Sequence, residues 1–326
     1  MIPIRQGYDV YRVRPRRVSW KAPFFMNNDW AALRILDLTR QMGVDRPFDI
    51  VFGAPATAWS GGRPSAIRQR LSRSQAEAYF KAYTDHGVKV ALTFSRLEID
   101  DADLDDPYGS MLLELAEAYG GQAIVVQDSL ARRIRERHPG VALIASLDKC
   151  MTELRRDYSR EVAYYHELLD LYDEVVARCE VALSDELLDG VQDVADRIEL
   201  ITNQVCVPNC QHCYEHISSM ERLNDPAQAA QKPHDCYYLH KAKDLTWALE
   251  HSLFVSESRI CELVERGFCK LKLGGRNAPM PKVMDMLGAY VFEPTGAFYQ
   301  IRTTVMPEYR ELAERRGAPL APFAFP

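Results

Sequence analysis

Cys206, Cys210 and Cys213 put three thiols within eight residues, in the spacing C-x3-C-x2-C. Thiolates this close can converge on one metal centre, because Pro208 and Asn209 keep the stretch from forming a regular helix. The spacing fits three corners of a cubane iron–sulfur cluster, whose irons each take one cysteine sulfur. Structural zinc more often uses two matched C-x2-C halves, and the sequence has no second C-x2-C. Cys236, 23 positions after Cys213 in a polar stretch, is the candidate fourth ligand; otherwise it is a bystander in a loop. The difference is chemical. If Cys236 closes the fourth iron, the centre serves electron transfer or structure; if that iron is open, a small molecule can bind it directly.

His212, His216, His234 and His240 crowd the same region, half of the chain's eight histidines. With the thiols they could form a mixed Cys/His zinc site, or donate hydrogen bonds to cluster sulfurs. His212 and His216, nearest the thiols, are also candidate proton donors. Further on, Lys270 and Lys272 alternate with Leu271 and Leu273, so on a strand both lysines share a face. An inward Lys272 at a barrel mouth is a candidate anion ligand. Arg276, after two glycines, is placed to fork onto a carboxylate or phosphate. Smaller polar sets, Ser95 with Arg96, Gln127 with Asp128 and Ser146 with Lys149, end three apolar runs and together would ring a pocket.

These residues sit in a repeating order of elements. Helical patterns over 31–42, 75–86, 108–119, 130–137, 160–172, 187–194 and 259–266 alternate with short apolar runs. The runs, at 48–53, 88–94, 123–126, 141–145, 175–183, 198–202, 253–255 and 268–273, give eight strand candidates. Near-continuously apolar strands separated by helices indicate a parallel sheet covered on both faces. Eight such units predict an α/β fold, a closed (β/α)8 TIM-like barrel, with an open doubly wound sheet as the alternative. The thiols then follow a late strand, on the face where such barrels carry their sites. The expected division is an irregular lead-in over 1–28, a barrel over 29–290 with a cluster loop at 203–240, and a C-terminal extension over 291–326. Residues 218–231 read as a polar loop.

Composition narrows the class. The chain has 326 residues, 47% of them hydrophobic, enough to bury a large core. Forty basic against 46 acidic residues give a mildly acidic protein, so nucleic-acid binding is not indicated by bulk charge. No apolar run is long enough to span a bilayer, and the N-terminus lacks the apolar core of a signal peptide. A soluble cytoplasmic protein is expected. Eight dilute cysteines suit a reducing compartment, with Cys150, Cys179, Cys261 and Cys269 read as small buried apolar residues.

Two family resemblances attach to these motifs. The stretch from Thr202 to Tyr214 resembles the cluster loop of radical S-adenosylmethionine enzymes, where three such cysteines hold a [4Fe–4S] cluster and the fourth iron chelates the cofactor. The whole layout resembles the collagenase-like peptidase family, which includes proteins of oxygen-independent hydroxylation. That family's signature, a helix, a glycine, then a strand ending Lys-Ile-Glu-Gly-Arg, is similar to residues 263–276, with Gly274 in place of the Glu. This resemblance implies a barrel with cluster-binding cysteines after a late strand.

The sequence therefore predicts a [4Fe–4S] enzyme that modifies an organic substrate by redox chemistry, with Cys206, Cys210, Cys213 and Cys236 as metal ligands. A small molecule or a peptide is the expected substrate, and an electron donor or partner subunit the expected partner. Two other readings stay open: a radical S-adenosylmethionine enzyme using the same three thiolates, and a zinc-stabilised, non-catalytic binding protein.

Overall fold

The computed structural model describes residues 12–13, 16–61, 70–204, 206, 208–222, 253–276, 278–292 and 296–315. Eight strands close into a barrel: β1 Ser19–Ala22, β2 Ile50–Gly53, β3 Lys89–Phe94, β4 Gln122–Val125, β5 Ala142–Ala145, β6 Glu174–Val176, β7 Ile198–Ile201 and β8 Lys270–Lys272. Every pairing around the ring is parallel, and β8 closes it by pairing with both β7 and β1.

Helices fill the crossovers, α1 Asp29–Gln41, α2 Arg73–Asp85, α3 Pro107–Ala118, α4 Asp128–Arg137, α5 Leu147–Leu154, α6 Glu161–Leu168, α7 Asp185–Gly190, α8 Cys213–Arg222 and α9 Glu257–Glu265, and two more follow the last strand, α10 Met280–Tyr290 and α11 Gly296–Arg315. Their starts are written in the sequence. Ser72 and Gln75 form a reciprocal capping box on α2. The Asp106 carboxylate accepts the Tyr108 and Gly109 N–H groups ahead of α3, whose first residue is Pro107.

The strand period of two splits the interior in two. Trp20, Val51, Leu92, Val125, Leu143 and Leu200 face the helices and form the main core. Phe52, Ala91, Ile124, Ile144, Val176 and Ile201 point the other way and fill the lumen. This is the predicted fold, with two corrections of membership. The barrel begins at Ser19, inside the stretch expected to be an irregular lead-in. The run at 253–255 is not a barrel strand: Leu253–Phe254 pairs antiparallel with Asn203–Gln204, and the buried Leu253 packs on the lumen plug. The reason is the same in both cases. A strand of four residues holding an inward lysine reads as polar, while an apolar lid over the lumen reads as a strand.

Residues 218–222, expected in a polar loop, belong to α8. Residues 296–315 of the expected extension form α11, which packs on α1 through a two-bond Arg34–Glu308 pair at 2.8 Å and through Trp30 against Tyr309. Among the described residues no helix is long and apolar enough to cross a membrane.

Gly53 ends β2 against the backbone of Phe25, where an added Cβ would fall on the Phe25 carbonyl. Backbone cannot swing aside as a flexible side chain can. Gly53→Ala is expected to destabilise the fold by about 1–3 kcal/mol, read as a lower denaturation midpoint with unchanged slope.

Candidate functional site at the C-terminal mouth of the barrel

The thiol loop leaves β7 at the mouth and is held from beneath by one cation. Arg178, just past β6 and only 3% exposed, donates to Glu161 at 3.1 Å, lies 3.3 Å from Glu180, and reaches Asn209 Oδ1 at 2.7 Å. Its guanidinium stacks 3.8 Å from the centre of the Tyr158 ring. The Tyr165 hydroxyl donates to the same Glu161 and accepts the Arg178 backbone N–H at 3.0 Å. Burial, opposed by Arg178, holds the Glu161 carboxyl above its ordinary value. The Asn209 N–H donates to Glu180 at 2.7 Å, fixing a turn in which Asn209 takes φ 51°, a conformation that asparagine tolerates better than most residues. The tip of the loop, the Cys206–Cys213 turn, is thus pinned at Asn209 by Arg178 and Glu180, two side chains just past β6.

The thiols occupy three environments. Cys206 is half-buried and packs against the lumen plug. Cys210 is half-buried, and its carbonyl accepts from the Tyr158 hydroxyl at 3.4 Å. Cys213 is buried at the head of α8, donating to the Met151 carbonyl at 3.1 Å. Burial, with the neighbouring Cys210, pushes the Cys213 thiol up to about 11. Among the described residues no three His, Cys, Asp or Glu side chains come close enough to share one metal ion. The donors fit an iron–sulfur centre in kind and in their place beside the lumen. To meet on one centre, Cys213 must release Met151 and Cys206 must leave its apolar packing.

His212 is exposed and His216 half-buried, on adjacent turns where the His216 N–H donates to the His212 carbonyl. Cys236, His234 and His240 lie outside the described residues.

α8 is docked at both ends. The Tyr214 ring sits 4.5 Å from the Arg155 guanidinium, and its hydroxyl donates to Glu98 at 3.4 Å. At the far end Glu221 accepts the Leu97 N–H at 2.5 Å, over Gly61, whose missing side chain leaves room for that carboxyl.

The other predicted polar groups divide. Ser95 donates to the Gly61 carbonyl, Arg96 pairs with Asp103, Ser146 caps α5, and Lys149 pairs with Asp128; these are local fastenings, not a ring around a pocket. Lys272 does point into the lumen. Its ammonium lies 3.2 Å from Glu199 and 4.5 Å from the centre of the Phe52 ring. Lys21, on β1, pairs with the other oxygen of Glu199. Burial would raise the Glu199 pKa, but the two ammoniums outweigh it and hold the carboxyl below its ordinary range. Arg276, half-buried after Gly275 at φ 109°, adds positive charge near Lys272. Lys21, Glu199 and Arg178 were not singled out in the sequence. The available signal was a charge standing at a strand's inward register between apolar neighbours, as Glu199 stands between Ile198 and Leu200.

No family model matches the chain, and no curated protein matches it in sequence. Among solved structures it is similar to the U32 peptidase Mk0906, of the collagenase-like family, at 12% identity and TM-score 0.47, covering 80% of this chain and 94% of that one. It is also similar to a GH113 beta-1,4-mannanase at 11% identity and TM-score 0.38, covering 89% and 99%. At these values the likeness adds nothing to the barrel already seen in the strand pairing.

Glu221 supplies a pH test of α8 docking. Burial, opposed by the Leu97 N–H and Arg96 and reinforced by Asp148 and Glu98, raises its carboxyl from 4.5 to about 7. A group raised on folding stabilises fully below its unfolded value and loses that contribution as pH rises through the folded one. Stability is therefore expected to fall from pH 4.5 to above 7, and Glu221→Gln to flatten that slope; melting temperature against pH for both proteins checks it.

Proposed function

We propose that the protein is an iron–sulfur enzyme that modifies an organic substrate by redox chemistry at the C-terminal mouth of its barrel, through oxygen-independent hydroxylation or a related group transfer. One observation carries the reading: three thiols in C-x3-C-x2-C spacing stand on a pinned loop beside the barrel lumen. Cys206, Cys210 and Cys213 would hold the cluster, with Cys236 as the fourth ligand. A bound cluster would supply one-electron chemistry that protein side chains lack. The chain's own residues would do the rest. Arg178 and Glu180 keep the loop tip in place, and the Phe52 and Ile201 plug keeps water from the floor of the mouth. His212 and His216 stand where they could give or take a proton, and Arg276 where it could hold a carboxylate. A small molecule or peptide would be the substrate, with electrons from a donor or partner subunit.

Anaerobic reconstitution of the full chain followed by metal and sulfide analysis tests this. About four irons and four sulfides per chain are expected. Cys206→Ala, Cys210→Ala or Cys213→Ala should each lower that loading, and Cys236→Ala should lower it if that thiol closes the fourth iron. Stoichiometric zinc without sulfide would overturn the reading in favour of a zinc-stabilised binding protein. If the reduced, loaded protein releases 5′-deoxyadenosine from S-adenosylmethionine, the second family resemblance gives the chemistry instead.

Arg178→Lys keeps a charge near Glu161 but cannot fork to Asn209 as well. It should reduce cluster loading several-fold while far-ultraviolet circular dichroism stays that of the native barrel.

A further inference from the structure

The lumen of a barrel of this kind is ordinarily packed with branched aliphatic side chains. Here the lumen beside β1, β7 and β8 holds three charges instead: Lys21, Glu199 and Lys272, 2%, 1% and 7% exposed. Two ammoniums share one carboxylate, so with all three ionised the cluster carries an excess positive charge, and Arg276 adds a second cation nearby. Burying an uncompensated charge is costly, several kcal/mol even after relaxation by order of magnitude. Two changes relieve it: loss of a proton from one lysine, or arrival of an anion.

The two lysines are not equivalent. Lys21 is in tight contact with Glu199 and is the less exposed. Lys272 keeps a longer contact with Glu199, turns its ammonium to the face of Phe52, and ends its strand at the mouth. The geometry points to Lys272 as a nucleophilic amine that captures the carbonyl carbon of a small anionic carbonyl compound, a 2-oxo acid, as an imine. Lys21 and Arg276 are the neighbouring cations that favour the neutral amine, the arrangement by which buried lysines become nucleophiles. The charged and titratable groups facing Lys272 are Glu199 from β7, Lys21 from β1, Arg276 after β8 and the Cys179 thiol after β6. Burial first, opposed by Glu199 and then reinforced by Lys21 and Arg276, brings the Lys272 ammonium from 10.5 down to about 8.

The chemistry balances without an added oxidant or reductant. The neutral amine of Lys272 forms the C–N bond as the carbonyl π pair moves to oxygen, which takes a proton. The nitrogen loses a proton, the hydroxyl takes one and departs as water, and an iminium remains. Ammonium plus carbonyl becomes iminium plus water, with unit positive charge on each side. The carboxylate of the 2-oxo acid supplies the counter-charge the cluster lacks, with Arg276 as its fork. None of this involves the thiol loop, so it stands or falls apart from the iron–sulfur reading.

The full chain is incubated with glyoxylate and cyanoborohydride across pH 6–10, and separately with formaldehyde and the same reductant as a smaller neutral carbonyl. Peptide mapping then reads modification lysine by lysine. At pH 7 Lys272 is expected to be modified at least about tenfold faster than exposed lysines such as Lys81, because a lower pKa leaves more neutral amine. The rate should reach half its maximum near pH 8. Lys272→Arg should remove that adduct, and the wild-type map decides the matter even if the variant fails to fold. If Lys272 reacts no faster than surface lysines with either carbonyl, the nucleophile is overturned. If formaldehyde marks Lys272 rapidly and glyoxylate does not, the anionic carbonyl substrate is overturned.

Discussion

The barrel closes where its last strand slides between the first and the seventh, and at that seam all three strands turn charge into the lumen. Lys21 and Lys272 are level across β1 and β8, while Glu199 stands two residues before Ile201, level with Lys270, and its carboxylate meets both ammoniums from there. An ion cluster of this kind contributes little net stability, since desolvation takes back most of what attraction gives. What it contributes is discrimination. A slip of one residue in any of the three strands would bury one charge among the helices and leave its partners alone in the lumen. Breaking the cluster costs far more than forming it gains, so the register of the closing strand is fixed by penalty. Everything at the mouth depends on that register, including the departure of the thiol loop from β7 and the turn that carries Arg276 away from β8.

A second cluster of charge governs the loop itself. Arg178 pairs with Glu161 and Glu180, stacks on Tyr158 and reaches into the turn at Asn209. Tyr158 and Glu161 come from one stretch of chain, Glu180 lies beside Arg178 itself, and Asn209 belongs to the loop. The loop tip is thereby referenced to the crossover between β5 and β6 and to the end of β6, not only to the strand it follows. That is how a segment without regular structure keeps three thiols over one side of the mouth. The buried Glu161 would be expensive without Arg178, and Tyr165 shares the work by bonding both partners.

The alternation of helical and apolar segments was enough to read the barrel, because β2 to β5 each have at least three consecutive apolar residues and α2, α3, α5, α7 and α9 begin at a side-chain cap. Seven of the eight expected strand regions fall on barrel strands. Ser19–Ala22 escaped because its lysine is paired inside the lumen, where alternation alone reads a polar side chain as outward. The run at 175–183 was read as one long strand because only Arg178 and Glu180 interrupt its apolar residues, yet the strand stops at Val176 and Arg178 turns away to clamp the loop. The thiols were legible from spacing and the inward lysine from its alternation with leucine. The partners Lys21, Glu199 and Arg178 were not, since each acquires meaning only from residues far away in the chain.

The pairing of Asn203–Gln204 with Leu253–Phe254 has a consequence for how such a protein can diverge. The chain leaves the barrel at Gln204 and is back beside the same residues at Leu253, with the Val255 N–H bonded to the Thr202 carbonyl at 2.8 Å. Because the exit and the return are stitched together, the approach to β8 is fixed by this pairing whatever the length of chain between the two. Lengthening such a loop costs only slowly more closure entropy, well under 1 kcal/mol for a doubling. Changes in chain length between α8 and Leu253 are therefore expected to leave β8 and the seam in place, while the thiol loop and α8 stay held by their own fastenings.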